Sequence, residues 1–194
     1  MRVFTSATVA CAVLVLFSGC FTFSYASQSL PEPPKITEIE PPEIDPVQPK
    51  PDYTGLNESE RIAVQIYHDL NRGVVNVTTV SLGYTWLSQA YPQSGSGSGA
   101  IIDQKGHILT NYHVIKGASQ IAVTLYDGSR YLAKIVGIDP ENDLALLSFN
   151  PDGRELTTVT LGTSKGLQVG QMVLALGNPF GLERTLTTGI ISGL

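Results

Sequence analysis

The sequence predicts an all-β domain: one short helix, then small antiparallel strands curled into a barrel. Three observations lead there. After residue 72 long amphipathic patterns are few, and short β-branched apolar runs alternate with turn residues. Glycine is abundant, 19 of 194 residues, which favours turns between those runs. The punctuation is regular, with Lys105-Gly106, Asp127-Gly128 and Asp139-Pro140 between successive runs. A chain of 194 residues has room for one such domain, or one and part of a second.

Composition removes several classes of function. A net charge of −5 argues against nucleic-acid binding, which needs clustered Lys and Arg. Both cysteines, Cys11 and Cys20, precede the folded part, which therefore carries neither a disulfide nor a thiolate metal site. Its stability must come from its core. No internal repeat is visible.

Residues 1–26 read as a secretory signal. Arg2 precedes a nearly continuous apolar run over 7–17, and Ser24-Tyr25-Ala26 offers a small-residue cleavage site. Phe17-Ser18-Gly19-Cys20 also resembles a lipobox, which would leave Cys20 lipidated as a membrane anchor. An uncleaved anchor is a third outcome, disfavoured because the run falls short of the ~20 apolar residues of a span. All three imply export, to the periplasm or cell envelope. Residues 27–56 hold eight prolines between Pro31 and Pro51, interleaved with charge, and form a semi-rigid extended linker.

Residues 57–194 form the domain. Asn57 or Ser59 caps a helix, Glu58 and Glu60 suit its N-terminus, and Ile62, Ile66, Tyr67 and Leu70 recur at helical spacing up to Gly73. Strands are expected at 74–80, 100–102, 108–109, 121–125, 131–138 and 144–149, enough for one barrel. Residues 83–95, with Tyr84, Trp86, Leu87 and Tyr91, read as a surface flap. Gly95-Ser96-Gly97-Ser98-Gly99 reads as a tight-turn device; it lacks the Gly-Lys-Ser/Thr ending of a phosphate loop. Pro151-Asp152-Gly153 leads to a second unit with strands at 158–161, 172–176 and 185–191.

The chemistry centres on Thr110-Asn111-Tyr112-His113-Val114 and Asn142-Asp143-Leu144-Ala145-Leu146-Leu147. An imidazole where one strand ends and a carboxylate where another begins make two thirds of a Ser-His-Asp triad. Spacing alone leaves both open to structural readings, as a satisfied histidine and a turn aspartate. His68 reads as a surface or half-buried residue.

Five local sequences occur in order: Gly97-Ser98-Gly99-Ala100-Ile101-Ile102, the His113 and Asp143 stretches, Gly177-Asn178-Pro179-Phe180-Gly181, and Thr188-Gly189-Ile190-Ile191-Ser192. From about residue 58 onward they resemble the protease domain of the HtrA/Deg family of trypsin-like serine proteases. The resemblance implies a chymotrypsin-like double β-barrel, its first barrel complete and its second truncated. It implies His113 as general base and Asp143 as orienting acid. Asp139 falls outside the acid position, His107 is structural, Thr110 and Asn111 are scaffold, and Gly177-Asn178-Pro179 is a turn. No metal or organic cofactor is implied. Substrates would be unfolded or misfolded proteins in the envelope, and the full-length form a homo-oligomer, usually a trimer.

One departure is large. The family's Gly-Asn-Ser-Gly-Gly nucleophile motif does not occur, and Ser96, Ser98 and Ser192 lack its context. Leu194 falls within a strand pattern. The expectation is therefore the N-terminal piece of a serine endopeptidase, inactive alone; the alternative is a complete, non-catalytic, envelope-tethered barrel that binds a partner.

Overall fold

The computed structural model describes residues 50–84, 90–179, 181 and 184–194, with backbone only for Tyr84, Ala90 and Pro92. The expected leader and residues 27–49 of the expected linker lie outside these, as do Trp86, Leu87 and Phe180.

Helix α1 (Glu58–Leu70) starts where its cap chemistry dictates. Asn57 Oδ1 accepts the Glu60 amide, and the Glu60 carboxylate accepts the Asn57 amide in return, a closed capping box. No residue of α1 is fully buried, and Ile62 is exposed. A 3₁₀ turn (Asn71–Gly73) then delivers the chain into β1 (Val74–Tyr84).

The strands that follow are β2 (Ala90–Ile101), β3 (His107–Thr110), β4 (Gln120–Thr124), β5 (Arg130–Leu132), β6 (Lys134–Asp139) and β7 (Leu144–Ser148), with the single helical turn α2 (Tyr112–Ile115) after β3. They make one antiparallel sheet in the order β5-β4-β1-β2-β3-β7-β6. Its two edge strands are consecutive in the chain and separated only by Ala133, whose amide bonds Ile121 O at 2.9 Å. The run 130–139 thus serves both edges, and the sheet curls on itself as the alternating pattern predicts. Val75, Val77, Ile101, Ile108, Val123 and Leu147 fill its interior, joined by Phe149, whose ring is tilted 46° against that of Tyr131. Each such side chain contributes roughly 1.5–3 kcal/mol of burial.

Three expectations need correction. Most of 83–95 is strand, not flap: β1 and β2 pair in continuous register from Val74↔Ala100 to Tyr84↔Ala90. The Gly-Ser repeat lies within β2 and turns nothing. Its glycines face inward, where side chains would collide with Thr79, Val114 and Ile108; its serines face the second unit. Residues 158–161 form no strand. The chain after the Asp152-Gly153 turn stays with the first barrel: Leu156 enters its core, Gln104 brackets the Leu156 backbone, and the Val159 amide bonds Ile101 O.

The second unit is a hairpin of β8 (Met172–Gly177) and β9 (Thr185–Ile190). A polar seam joins it to the barrel. Buried Asn76 donates through Nδ2 to Asn178 O (3.0 Å), Ser96 Oγ (2.8 Å) and Gly97 O (3.3 Å). Ser96 Oγ donates to Pro179 O (2.6 Å), and Ser98 Oγ accepts the Asn178 amide (2.8 Å). Farther along, Arg184 Nε donates to Val74 O, and Tyr67 O–H donates to Arg184 O.

Candidate active site

The pairing of β3 with β7 decides where the site forms. Thr110 sits opposite Ala145, so the chain leaving β3 and the chain entering β7 emerge side by side at one end of the ladder. Asn111 begins α2 from the first, and Asp143 closes the approach to the second. Within α2, Ile115 plugs into the core and Tyr112 and Val114 pack against it, which turns His113, between those two, outward. Its side chain is 70% exposed.

Asp143 has φ of 54°, the left-handed region that costs a non-glycine residue of order 1–3 kcal/mol. Its surroundings compensate. The Tyr112 amide donates to Asp143 O at 3.1 Å, and Asn111 Nδ2 reaches the same carbonyl at 3.2 Å. Asp139 supports the preceding turn by accepting both the backbone and side-chain N–H of Asn142.

The Asp143 carboxylate gathers three donors. Oδ1 accepts the His113 amide at 2.8 Å, while Oδ2 accepts His113 Nδ1 at 2.7 Å and Asn111 Nδ2 at 3.2 Å. Led by the His113 backbone N–H, with the imidazole next, these bonds hold the carboxyl below its usual range. A carboxylate accepts only from a protonated nitrogen, so Nδ1 carries the hydrogen and the neutral ring presents its lone pair at Nε2. Among the described residues nothing hydrogen-bonds Nε2. The arrangement can take a proton from a group placed at Nε2 and stabilise the cation that results.

The two expected site residues therefore meet. Asn111, expected as scaffold, touches the carboxylate itself, and its position two residues before the imidazole was the only available signal. Thr110 is scaffold: its hydroxyl donates to Ser98 O at 2.7 Å. His107 pairs with Asp103 across the β2–β3 turn (2.6 Å), and half-exposed His68 pairs with neighbouring Asp69 (3.2 Å). Neither joins the site. Ser96 and Ser98 bond the second unit, and among the described residues no hydroxyl contacts His113. Among those residues no three of His, Cys, Asp and Glu converge as a metal site. An open groove lined by Ser98, Thr110, Asn111, Leu144 and Leu176 runs beside the pair.

Comparison with known proteins places the chain among trypsin-like proteases. The model of the trypsin-like peptidase domain matches residues 97–194. Protease Do-like 1, chloroplastic, of Arabidopsis thaliana is 44% identical over 142 residues, covering 72% of this chain and 32% of its own. A DegP-like periplasmic serine endoprotease of Marinomonas is 51% identical over 108 residues, covering 54% of this chain and 23% of its own. Among solved structures, a serine-to-alanine form of the HtrA-type protease AlgW, with a decapeptide, superimposes with a TM-score of 0.62 at 36% identity, over 67% of this chain and 44% of that one. The chain spans about a third or less of the length of the curated relatives it matches.

Proposed function

The chain belongs to the HtrA family of trypsin-like serine proteases, and from that premise we propose that His113 and Asp143 are the general base and orienting acid of a serine endopeptidase. The observation that carries the reading is the 2.7 Å contact from His113 Nδ1 to Asp143 Oδ2, with Nε2 open to solvent. Asp143 holds one tautomer and one ring orientation. His113 takes the proton of a serine hydroxyl as it attacks a peptide carbonyl, then returns it to the leaving amine.

No Gly-Asn-Ser-Gly-Gly motif occurs among these 194 residues, so the reading assigns hydrolysis to the full-length protein and none to the 194-residue chain alone. Export supports the same reading. The leader at 1–26 and linker at 27–56 place the protease domain, 57–194, beyond the membrane, where relatives named as periplasmic endoproteases work. Its substrates are unfolded polypeptide; that the similar AlgW structure is one with a decapeptide supports a polypeptide ligand. The full-length protein is an oligomer, a trimer by family likeness, and Cys20 is its lipid anchor if the lipobox is used.

The test is hydrolysis of an unfolded protein such as casein by the full-length protein. Removing the base lowers kcat by about six orders of magnitude if the pair acts as proposed. His113→Ala with undiminished turnover would end the proposal.

A further inference from the structure

The glycines of β2 do more than allow a strand. Gly95, Gly97 and Gly99 share its inner face, and each lies under a different side chain: Thr79, Val114 and Ile108. Gly99 faces the barrel core. Gly97 lies under the residue that follows His113. A Cβ at position 97 would sit 2.6 Å from Val114 Cγ2, 2.7 Å from Cγ1 and 3.3 Å from Cβ, so Val114 occupies the place of the missing side chain. Real Cβ contacts do not come that close, and Val114, β-branched and one residue from His113, has little rotamer freedom to retreat.

We propose that Gly97 is a positioning residue for His113: its bare backbone is the seat on which Val114 rests, and that seat sets the height of α2 above the sheet. The inference rests on reading His113 and Asp143 as the working pair. Its basis is local. Alpha-2 is a single turn with no side-chain cap at Asn111, so little in its own sequence fixes its position. Ile115 anchors its far end in the core, and Thr79 Oγ1 touches Val114 O only at 3.5 Å. On the other side of His113, the amide and ring bonds to Asp143 are short, and short bonds lengthen when one partner rises. Raising Val114 by the few tenths of an ångström a methyl group needs lifts His113 from a carboxylate that is fixed by β7. No chemical step involves Gly97; it acts through Val114.

The test uses the 194-residue chain and needs no nucleophile, so it stands apart from any assay of proteolysis. Gly97→Ala, Val114→Ala and the double variant are compared by NMR. The Asp143 side-chain carbon and the His113 amide are followed through the acid range, and thermal unfolding is measured in parallel. In Gly97→Ala the Asp143 midpoint rises toward that of an ordinary carboxylate, and the His113 amide loses its acid-range transition. In the double variant, where the new methyl takes the space vacated by Val114, both return toward the parent. A residue that merely fills the barrel lowers the melting temperature in Gly97→Ala but leaves both titrations in place, and that result overturns the proposal. So does a double variant as displaced as Gly97→Ala. Should Gly97→Ala fail to fold, Val114→Ala carries the test, since it removes what rests on the seat without overfilling it. Titrations identical to the parent in that variant also overturn the proposal.

Discussion

Replacing Asn76 by alanine measures how firmly the second unit is held. Asn76 is buried, and its Nδ2 has two hydrogens for three acceptors. The bond to Gly97 O, at 3.3 Å, is the weak shared one and lies within the barrel. The bond to Asn178 O crosses the seam directly; the bond to Ser96 Oγ orients the hydroxyl that donates to Pro179 O. One seam bond is lost and a second weakened, at a net worth of about 1 kcal/mol each, so the hairpin loses about 1–2 kcal/mol of docking energy. Arg184 and Tyr67 still hold it, and full detachment is not expected. Native-state hydrogen exchange resolves this by element. The β8–β9 amides of Asn76→Ala exchange about 5–30-fold faster than in the parent, the factor that 1–2 kcal/mol implies. Asn76→Asp at neutral pH loses more, because a carboxylate then faces the carbonyl oxygens of Gly97 and Asn178. Unchanged β8–β9 exchange, with the loss confined to barrel amides, would show that Asn76 serves only β1 and β2.

Three further outcomes follow from the same structure. Burial opposes ionisation of Asp127, but the Ser129 hydroxyl and amide and the Arg154 guanidinium outweigh it and hold its pKa low. A depressed folded pKa adds stability above the unfolded value of about 3.9 and loses it as pH falls through the folded one; Asp127→Asn therefore flattens the acid limb of a plot of urea midpoint against pH, and parallel limbs contradict this. Gly106 has φ of +83°, and a Cβ there would strike the Phe149 carbonyl oxygen. Gly106→Ala should cost about 2–4 kcal/mol in equilibrium unfolding, and a loss below about 1 kcal/mol is too small for that collision. In the full-length protein, Asn111→Ala removes one bond to the Asp143 carboxylate and lowers kcat about tenfold with KM unchanged. A change in KM alone would place Asn111 in substrate binding.

The barrel was legible because its signals are local. Asn57 and Glu60 announce α1, Asp127-Gly128 announces a hairpin, and β-branched runs mark the strands in between. The pair itself was legible as two residues at strand ends, though the contact that makes it a site depends on β3 and β7 being neighbours. What escaped was set by approach from elsewhere in the chain. Gly95-Ser96-Gly97-Ser98-Gly99 has the composition of a turn, and nothing in it signals that Val114 and Ile108 need its bare inner face while Asn178 and Pro179 need its serines. Residues 158–161 read as a strand, yet Val159 spends its amide on Ile101 and finds no ladder. The left-handed backbone of Asp143 leaves no local mark either, since what stabilises it is the amide of Tyr112, thirty-one residues earlier.

Because Thr110 lies opposite Ala145, the pair also has a schedule. His113 is made thirty residues before Asp143, a delay of about 2–6 seconds at ordinary rates of synthesis. The carboxylate then reaches the imidazole only when β7, the last strand of its sheet, inserts between β3 and β6. Until that happens the imidazole has no partner to fix its tautomer. A nascent or half-folded chain thus carries the histidine without its acid, and the proton-transfer device forms only in the step that completes the barrel.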